Sequence, residues 1–147
     1  MDTMAGLRAS FLGLQAQRTR MNIIAANLAN AGVTRTPEGG PYQRKEVVFA
    51  ALPPHVTSFQ ELLEATWEAG ASDVHVVDVV SLPDSTRLEY DPEHPDANAA
   101  GYVAYPNINV LQEMVDLITA SRLYEANVTA INASKDMAVR TLQIGRI

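Results

Sequence analysis

The chain has 147 residues, of which 47% are hydrophobic and 19% are charged, a balance typical of one folded domain rather than of a disordered chain. Its net charge of −6 argues against a nucleic-acid partner, because binding to phosphate requires clustered lysine and arginine. Cysteine is absent, which excludes disulfides, thiolate catalysis and sulfur-ligated metal. No segment resembles a signal peptide or approaches the roughly 18 apolar residues of a membrane span, so we expect no cleaved signal peptide.

A first helix is predicted from Met4 to about Asn30, because apolar residues recur there in steps of three and four, the period of a coiled-coil seam. Arg18 interrupts this series. A neighbouring face carries Gly6, Ala9, Gly13 and Ala16, which favours close approach of another helix as compensation for the roughly 1 kcal/mol that each helical glycine costs. Gly32 is predicted to be the residue that ends the helix.

Three asparagines, Asn22, Asn27 and Asn30, lie in this otherwise apolar helix. A buried amide without a hydrogen-bond partner costs roughly 1 to 3 kcal/mol. The sequence therefore predicts that these side chains have polar partners.

The middle of the chain is acidic, with twelve acidic and four basic residues between 31 and 106. Strands are predicted at "YQRKEVVFAAL" and "DVHVVDVV", and a short helix at about 58–69 begins with a capping box at Ser58 and Glu61. The following stretch, 82–109, is rich in proline, and we expect an extended connector or lid there rather than regular structure.

A last helix is predicted to begin after Asn109, whose side chain can cap it, with Gln112 at the third helical position. Its predicted seam again advances in threes and fours: Val110, Met114, Leu117, Ser121, Tyr124, Val128, Ile131, Lys135, Ala138 and Leu142. Periodicity alone is equally compatible with an intramolecular helical hairpin and with a seam used in assembly.

Catalytic or metal-binding residues are not indicated. Asp91, His94 and Asp96 are possible metal ligands, but the intervening prolines hold the chain extended and disfavour closure of all three around one ion. The other histidines, His55 and His75, fit no catalytic motif spacing, and P-loop, G-x-S-x-G and H-E-x-x-H patterns are missing. We therefore expect no cofactor and no enzymatic activity.

Three segments carry a family resemblance: "ANLANAGVTRT", "YDPEHPDANAAGYVAYPNINVLQEM" and "ASRLYEANVTAINASKDMAVRTLQIG". With these segments the chain resembles the rod proteins of the bacterial flagellar basal body across nearly its whole length. The resemblance implies an α+β fold in which residues 1–32 and 107–147 form a coiled-coil-like pair of terminal helices. Residues 33–106 would form a small, irregular, partly β middle domain, although residues 52–73 match no family segment.

The resemblance also implies a function: a structural subunit of the proximal rod, in the periplasm, that polymerises helically and transmits torque for motility. Its implied partners are copies of itself, the neighbouring proximal and distal rod subunits, and a rod-base adaptor near the membrane ring, with no nucleic acid and no small-molecule substrate. Neighbouring subunits would supply partners for the three asparagines. The expected subunit-interface residues are Leu7, Phe11, Leu14, Met21, Asn22, Ala25, Asn27, Leu28, Asn30, Val110, Met114, Leu117, Tyr124, Asn127, Val128, Ile131 and Leu142.

Two other interpretations remain open at this stage. A non-enzymatic adaptor or export-associated protein could use the same helices to bind one partner at fixed stoichiometry. A wall-cutting hydrolase built on Asp91, Asp96 or a glutamate would need two carboxylates about 5 to 9.5 Å apart in a groove, and the spacing indicates none.

Overall fold

The computed structural model describes residues 3–52, 73–82 and 86–144. Helix α1 spans Thr3–Ala29, strands β1 to β4 span Lys45–Leu52, Asp73–Ser81, Thr86–Tyr90 and Tyr102–Pro106, and helix α2 spans Val110–Ile144. This arrangement confirms the predicted α+β class with two long terminal helices. The short helix expected at about 58–69 lies outside the described residues.

The four strands form two two-stranded sheets, β1 with β2 and β3 with β4. Strands β1 and β2 coincide with the predicted strands, and the Leu82 amide donates to the Arg44 carbonyl where this sheet begins. Strands β3 and β4 are antiparallel, with Thr86 opposite Pro106 and Tyr90 opposite Tyr102.

The β3–β4 hairpin corrects the prediction of an irregular connector over 82–109. Pro92 and Pro95 lie in the long turn between the strands, and Pro106 is the last residue of β4, so none of the three interrupts the strand pairing. The turn closes with hydrogen bonds from the Asp91 amide to the Gly101 carbonyl and from the Gly101 amide to the Asn98 carbonyl.

Side chains within this turn hold its shape. Gly101 has a φ of 78°, and a Cβ there would lie 2.9 Å from the Tyr90 ring, so only glycine fits. Asn98 Oδ1 accepts hydrogen bonds from the amides of Ala100 and Tyr102. His94 Nδ1 accepts one from the Asp96 amide, 3.1 Å away.

The helix ends agree only partly with expectation. Asn109 caps α2 as predicted, because its Oδ1 accepts hydrogen bonds from the amides of Leu111 and Gln112. The prediction for Gly32 is wrong, since its backbone does not adopt the left-handed conformation of such a cap. Helix α1 ends instead in a tightened turn, in which the Ala31 amide donates to Leu28 and the Val33 amide to Asn30.

The chain divides into two compact units, and each helix contributes to both. The first unit comprises residues 1–19, 49–77 and 120–147, and the second comprises 20–48 and 78–119. Buried residues of the first unit include Ala16, Asp73 and Ala120; those of the second include Ile24, Asn27, Val103, Pro106, Ile108 and Glu113. In the part of the chain that the structure describes, neither helix has an apolar stretch sufficient to cross a membrane.

Candidate assembly surface and its internal supports

A buried polar cluster joins α1, the entry to β1 and the start of α2 in the second unit. We call it the polar clamp and define it as Asn27, Tyr42, Arg44 and Glu113. Asn27 and Glu113 are only 1% and 2% exposed, which is rare for an amide and a carboxylate unless their hydrogen bonds are satisfied. The clamp supplies those hydrogen bonds.

Asn27 uses its full hydrogen-bonding capacity inside the chain. Its Nδ2 donates to the Lys45 carbonyl at 2.8 Å and to Glu113 Oε2 at 3.3 Å. Its Oδ1 accepts from the Lys45 amide at 2.9 Å and from the Tyr42 hydroxyl at 3.1 Å. An asparagine side chain can make about four hydrogen bonds, so this residue has no capacity left for a neighbouring subunit.

Glu113 is neutralised by Arg44, whose Nε donates to Glu113 Oε1 at 2.8 Å. Burial alone would lower the pKa of Arg44. The hydrogen bond to Glu113, with the charges of Glu113, Glu46 and Asp116, outweighs burial and raises that pKa above its ordinary value. The pKa of Tyr42 is also raised, first by burial and then by the negative charge of Glu113, so its hydroxyl remains a donor at neutral pH.

These contacts correct the expectation that a neighbouring subunit satisfies Asn27, whereas for Asn22 that expectation stays a prediction. All four hydrogen bonds of Asn27 lie within the chain. Asn30 Nδ2 donates to the Ala26 carbonyl of its own helix, and Asn22 is exposed to solvent. The expectation failed for Asn27 because its partners are far from it in sequence, where helical periodicity carries no information.

The first unit brings the helices together through small residues instead. Ala16 is 3% exposed and Ala120 fully buried. A Cβ placed on Gly13 would lie 3.0 Å from Asn127 Nδ2, so α1 and α2 approach closely at this glycine. This agrees at Gly13 with the prediction that the small-residue face admits a neighbouring helix, whereas a Cβ on Gly6 would meet nothing within 4 Å among the described residues. Arg8 Nη2 and the buried Asp73 Oδ2, 2.7 Å apart, form an ion pair between α1 and β2.

The two helices run antiparallel in the second unit. Asn27 lies at Glu113 and Arg20 lies 3.9 Å from Asp116, so residue numbers rise along α1 as they fall along α2. The inward positions of α2 are buried or half-buried and follow a heptad repeat: Glu113, Leu117, Ala120, Tyr124, Asn127, Ile131, Ser134 and Ala138.

The residues predicted to form subunit interfaces have very different exposures. Phe11, Asn22, Ala25, Val110, Met114 and Leu142 are exposed; Leu7, Leu14, Met21, Leu28, Asn30, Leu117, Tyr124, Asn127, Val128 and Ile131 are half-buried; Asn27 is buried. Phe11 is 61% exposed and Leu142 72%, which leaves large apolar side chains in solvent. Their role as subunit-interface residues stays a prediction.

One stripe of residues at three- and four-residue spacing can be traced along each helix, and each stripe includes both exposed and half-buried side chains. The α1 stripe is Leu7, Phe11, Leu14, Arg18, Met21, Ala25 and Leu28; the α2 stripe is Leu111, Met114, Ile118, Ser121, Glu125, Val128, Asn132, Lys135, Val139 and Leu142. Ile118, which is 55% exposed, and Val139, which is 45% exposed, are examples of exposed apolar residues in the α2 stripe. Exposed apolar surface of this kind marks interaction sites in soluble proteins.

Sequence reasoning missed Tyr42, Arg44 and Glu113 as structural residues. The sequence placed Tyr42 and Arg44 only within a predicted strand and assigned Glu113 no role of its own. Arg44 and Glu113 are 69 residues apart, and no local spacing links them.

Two long terminal helices, two small β-sheets and exposed apolar side chains on both helices are typical of a subunit that assembles with other proteins. Comparison with known proteins agrees. The model for "Flagella basal body rod protein" matches residues 7–35, and that for "Flagellar basal body rod FlgEFG protein C-terminal" matches residues 99–144.

Curated relatives named "Flagellar basal-body rod protein FlgC" align along nearly the whole chain. Identity is 40% with the Bacillus subtilis protein, covering 99% of this chain and 100% of the relative. It is 41% with the Aquifex aeolicus protein, covering 97% of each, and 38% with the Borreliella burgdorferi protein, covering 98% of each. The chain belongs to the FlgC family of flagellar basal-body rod proteins, and it is a structural subunit of the basal body that assembles with other rod proteins.

Proposed function

We propose that this chain is a subunit of the proximal rod that polymerises helically in the periplasm and transmits torque. The α1 and α2 stripes carry the proposal, because apolar side chains recur at heptad spacing along both terminal helices and some of them, such as Phe11, Ile118 and Leu142, are exposed. Burial of apolar surface contributes about 25 cal/mol per Å², so repetition of one such contact along a polymer gives a stiff shaft without any single strong bond.

Contacts between α1 and α2 within the chain also favour this mechanical role. The polar clamp and the Gly13–Asn127 approach each hold α1 against α2 within one chain. Each of these contacts resists separation of the two helices within its own unit when the helices carry a load. The proposed partners are other copies of this chain, neighbouring proximal and distal rod subunits, and a rod-base adaptor.

Two further properties belong to the proposal. The chain has no enzymatic activity and no small-molecule substrate, since its notable polar cluster is consumed by mutual hydrogen bonds. It binds no nucleic acid, for which the net charge of −6 is unfavourable.

Basal bodies purified from the native bacterium test this proposal. A strain lacking the chain should be non-motile and lack rods, and a tagged copy should restore both and lie in the proximal rod. Ile118→Glu, which places a charge in the exposed part of the α2 stripe, should abolish rod assembly while leaving the fold intact. Ala126→Glu adds the same charge at an exposed position outside the stripe and should remain motile.

Two outcomes would contradict the proposal. Rods of normal length without the chain would remove it from the shaft. Recovery of the tagged chain at a fixed stoichiometry with one partner, outside the rod, would favour an adaptor.

A further inference from the structure

The α1 stripe contains one charged residue, whereas the α2 stripe contains two of opposite sign, Glu125 and Lys135. Arg18 is the only charged member of the α1 stripe, and Glu125 is the acidic member of the α2 stripe. Both are exposed, and within the described parts of the chain neither side chain takes part in an ion pair. Charges of opposite sign at matching heptad positions commonly set the register between helices.

We infer that the α1 stripe of one copy docks antiparallel on the α2 stripe of a second copy, with Arg18 paired to Glu125. This inference rests on the proposed function and specifies its partner surface. It makes a second copy of this chain, rather than a different rod protein, the occupant of the stripe.

The direction of docking follows from symmetry. Copies in a helical polymer are related by rotation about and translation along one axis, so every copy points the same way. In the second unit α1 and α2 are antiparallel. The α1 of one copy and the α2 of the next therefore also run antiparallel.

The charge pair then fixes which apolar residues meet. Moving along α1 in one direction and α2 in the other from the pair brings Leu14 to Val128, Ala25 to Ile118 and Leu28 to Met114. Ile118 and Met114 are 55% and 45% exposed, so the last two contacts would bury side chains that the single chain leaves in solvent.

At the other end of the stripes, the same register places apolar residues of α1 against polar residues of α2. Leu7 meets Lys135, and Phe11 meets Asn132. The aliphatic stem of a lysine can lie along an apolar side chain while its ammonium group stays in water, so the Leu7 contact is tolerated. The antiparallel register thus matches apolar residues best in the half of the stripes nearest Leu28 and Met114.

Disulfide cross-linking tests the register, because the chain has no cysteine to interfere. Ala25→Cys and Ile118→Cys are placed in separate copies and co-expressed in the native bacterium in place of the wild-type chain. A disulfide needs Cα atoms within about 7 Å, so a 25–118 dimer requires contact between copies at this register. Ala25→Cys with Ala126→Cys, which lies outside the stripe, is the matched control and should give no dimer.

The Arg18–Glu125 pair is tested in the copies that carry Ala25→Cys and Ile118→Cys. Arg18→Glu should lower the yield of the 25–118 dimer by about two- to five-fold, the size expected when one exposed ion pair becomes a repulsion. Adding Glu125→Arg to it should restore the yield. Arg140→Glu makes the same charge change outside the stripe and should leave the yield unchanged.

The outcomes separate the inference from the proposed function. Absence of the 25–118 dimer in rods that contain the cysteine variants would overturn the inference and leave the rod role standing. Cross-linking of the Ile118→Cys copy to a protein of different mass would also overturn it, since another rod protein would then occupy the stripe. Absence of the chain from purified rods would remove the proposed function and the inference with it.

Discussion

The helix pair is held in two different ways in the two units of the chain. In the second unit a buried amide and a buried carboxylate are satisfied by an arginine, a tyrosine and a strand backbone. In the first unit small residues let the helices approach, as Gly13 does at Asn127. The polar clamp accepts only one arrangement of its donors and acceptors, whereas a small-residue contact constrains distance more than register.

This difference predicts which substitutions each unit tolerates. A hydrogen-bonded cluster loses several partners when one member is removed, because the groups left behind are buried and cannot regain water. A close contact through glycine loses little when a side chain shrinks and much when it grows. Substitutions can therefore distinguish how much the contacts of each unit contribute to stability. Unfolding of the purified chain in urea measures the free energy of unfolding of each variant.

Asn27→Leu should have the largest effect. It removes four hydrogen bonds and leaves the Lys45 amide, the Tyr42 hydroxyl and Glu113 without that partner, and we expect about 3 kcal/mol of destabilisation. Asn22→Leu is the matched control in the same helix, because Asn22 is exposed and should change stability by less than about 0.5 kcal/mol. Equal effects of the two substitutions would mean that the clamp does not stabilise the second unit.

Gly13→Val should cost about 2 kcal/mol, because its side chain would press against Asn127. Gly6→Val introduces the same β-branched residue into the same helix, where no atom of the described residues lies within 4 Å of the added Cβ. The difference between these variants measures the close approach itself. A similar loss at both positions would leave only helix propensity and argue against a tight contact in the first unit.

Asn109→Ala should destabilise the chain by about 1 kcal/mol through loss of the cap on the Leu111 and Gln112 amides. The effect should be additive with Gly13→Val, which lies in the other unit. Asn107→Ala, at an exposed position just before the cap, is the control and should be nearly neutral. A neutral Asn109→Ala would indicate that the clamp alone holds the start of α2.

Tyr42→Phe should have the smallest effect at neutral pH, about 1 kcal/mol, because it removes one hydrogen bond to Asn27 and keeps the ring. The pH dependence of this stability effect tests the Tyr42 hydroxyl more specifically. The pKa of Tyr42 is raised in the folded chain, so its stabilising contribution is complete below the unfolded value and is lost as pH rises through the folded value.

The stability difference between wild type and Tyr42→Phe should therefore shrink as pH rises from about 8 to about 11, around the unfolded tyrosine pKa of about 10. Tyr102→Phe, which changes an exposed tyrosine of β4, controls for general alkaline effects. A constant difference across this range would show that the Tyr42 hydroxyl does not donate within the clamp.

The sequence alone determined the features that depend on neighbouring residues. Heptad spacing predicted both long helices, β-branched runs predicted β1 and β2, and Asn109 predicted the start of α2. It also carried the family motifs. These signals are readable because helix periodicity, strand propensity and capping act over about four residues or fewer.

The tertiary structure decided which helix faces meet and what satisfies the buried polar groups. On α1 the small-residue face, with Gly13 and Ala16, turns inward and leaves Phe11 in solvent; on α2 the inward seam includes Glu113 and Asn127. The β3–β4 hairpin likewise depends on pairing across a turn that confines Pro92 and Pro95. Asn27 meets Glu113 across 86 residues, and such a contact depends on burial and hydrogen-bond satisfaction in three dimensions, which spacing along a single sequence does not encode.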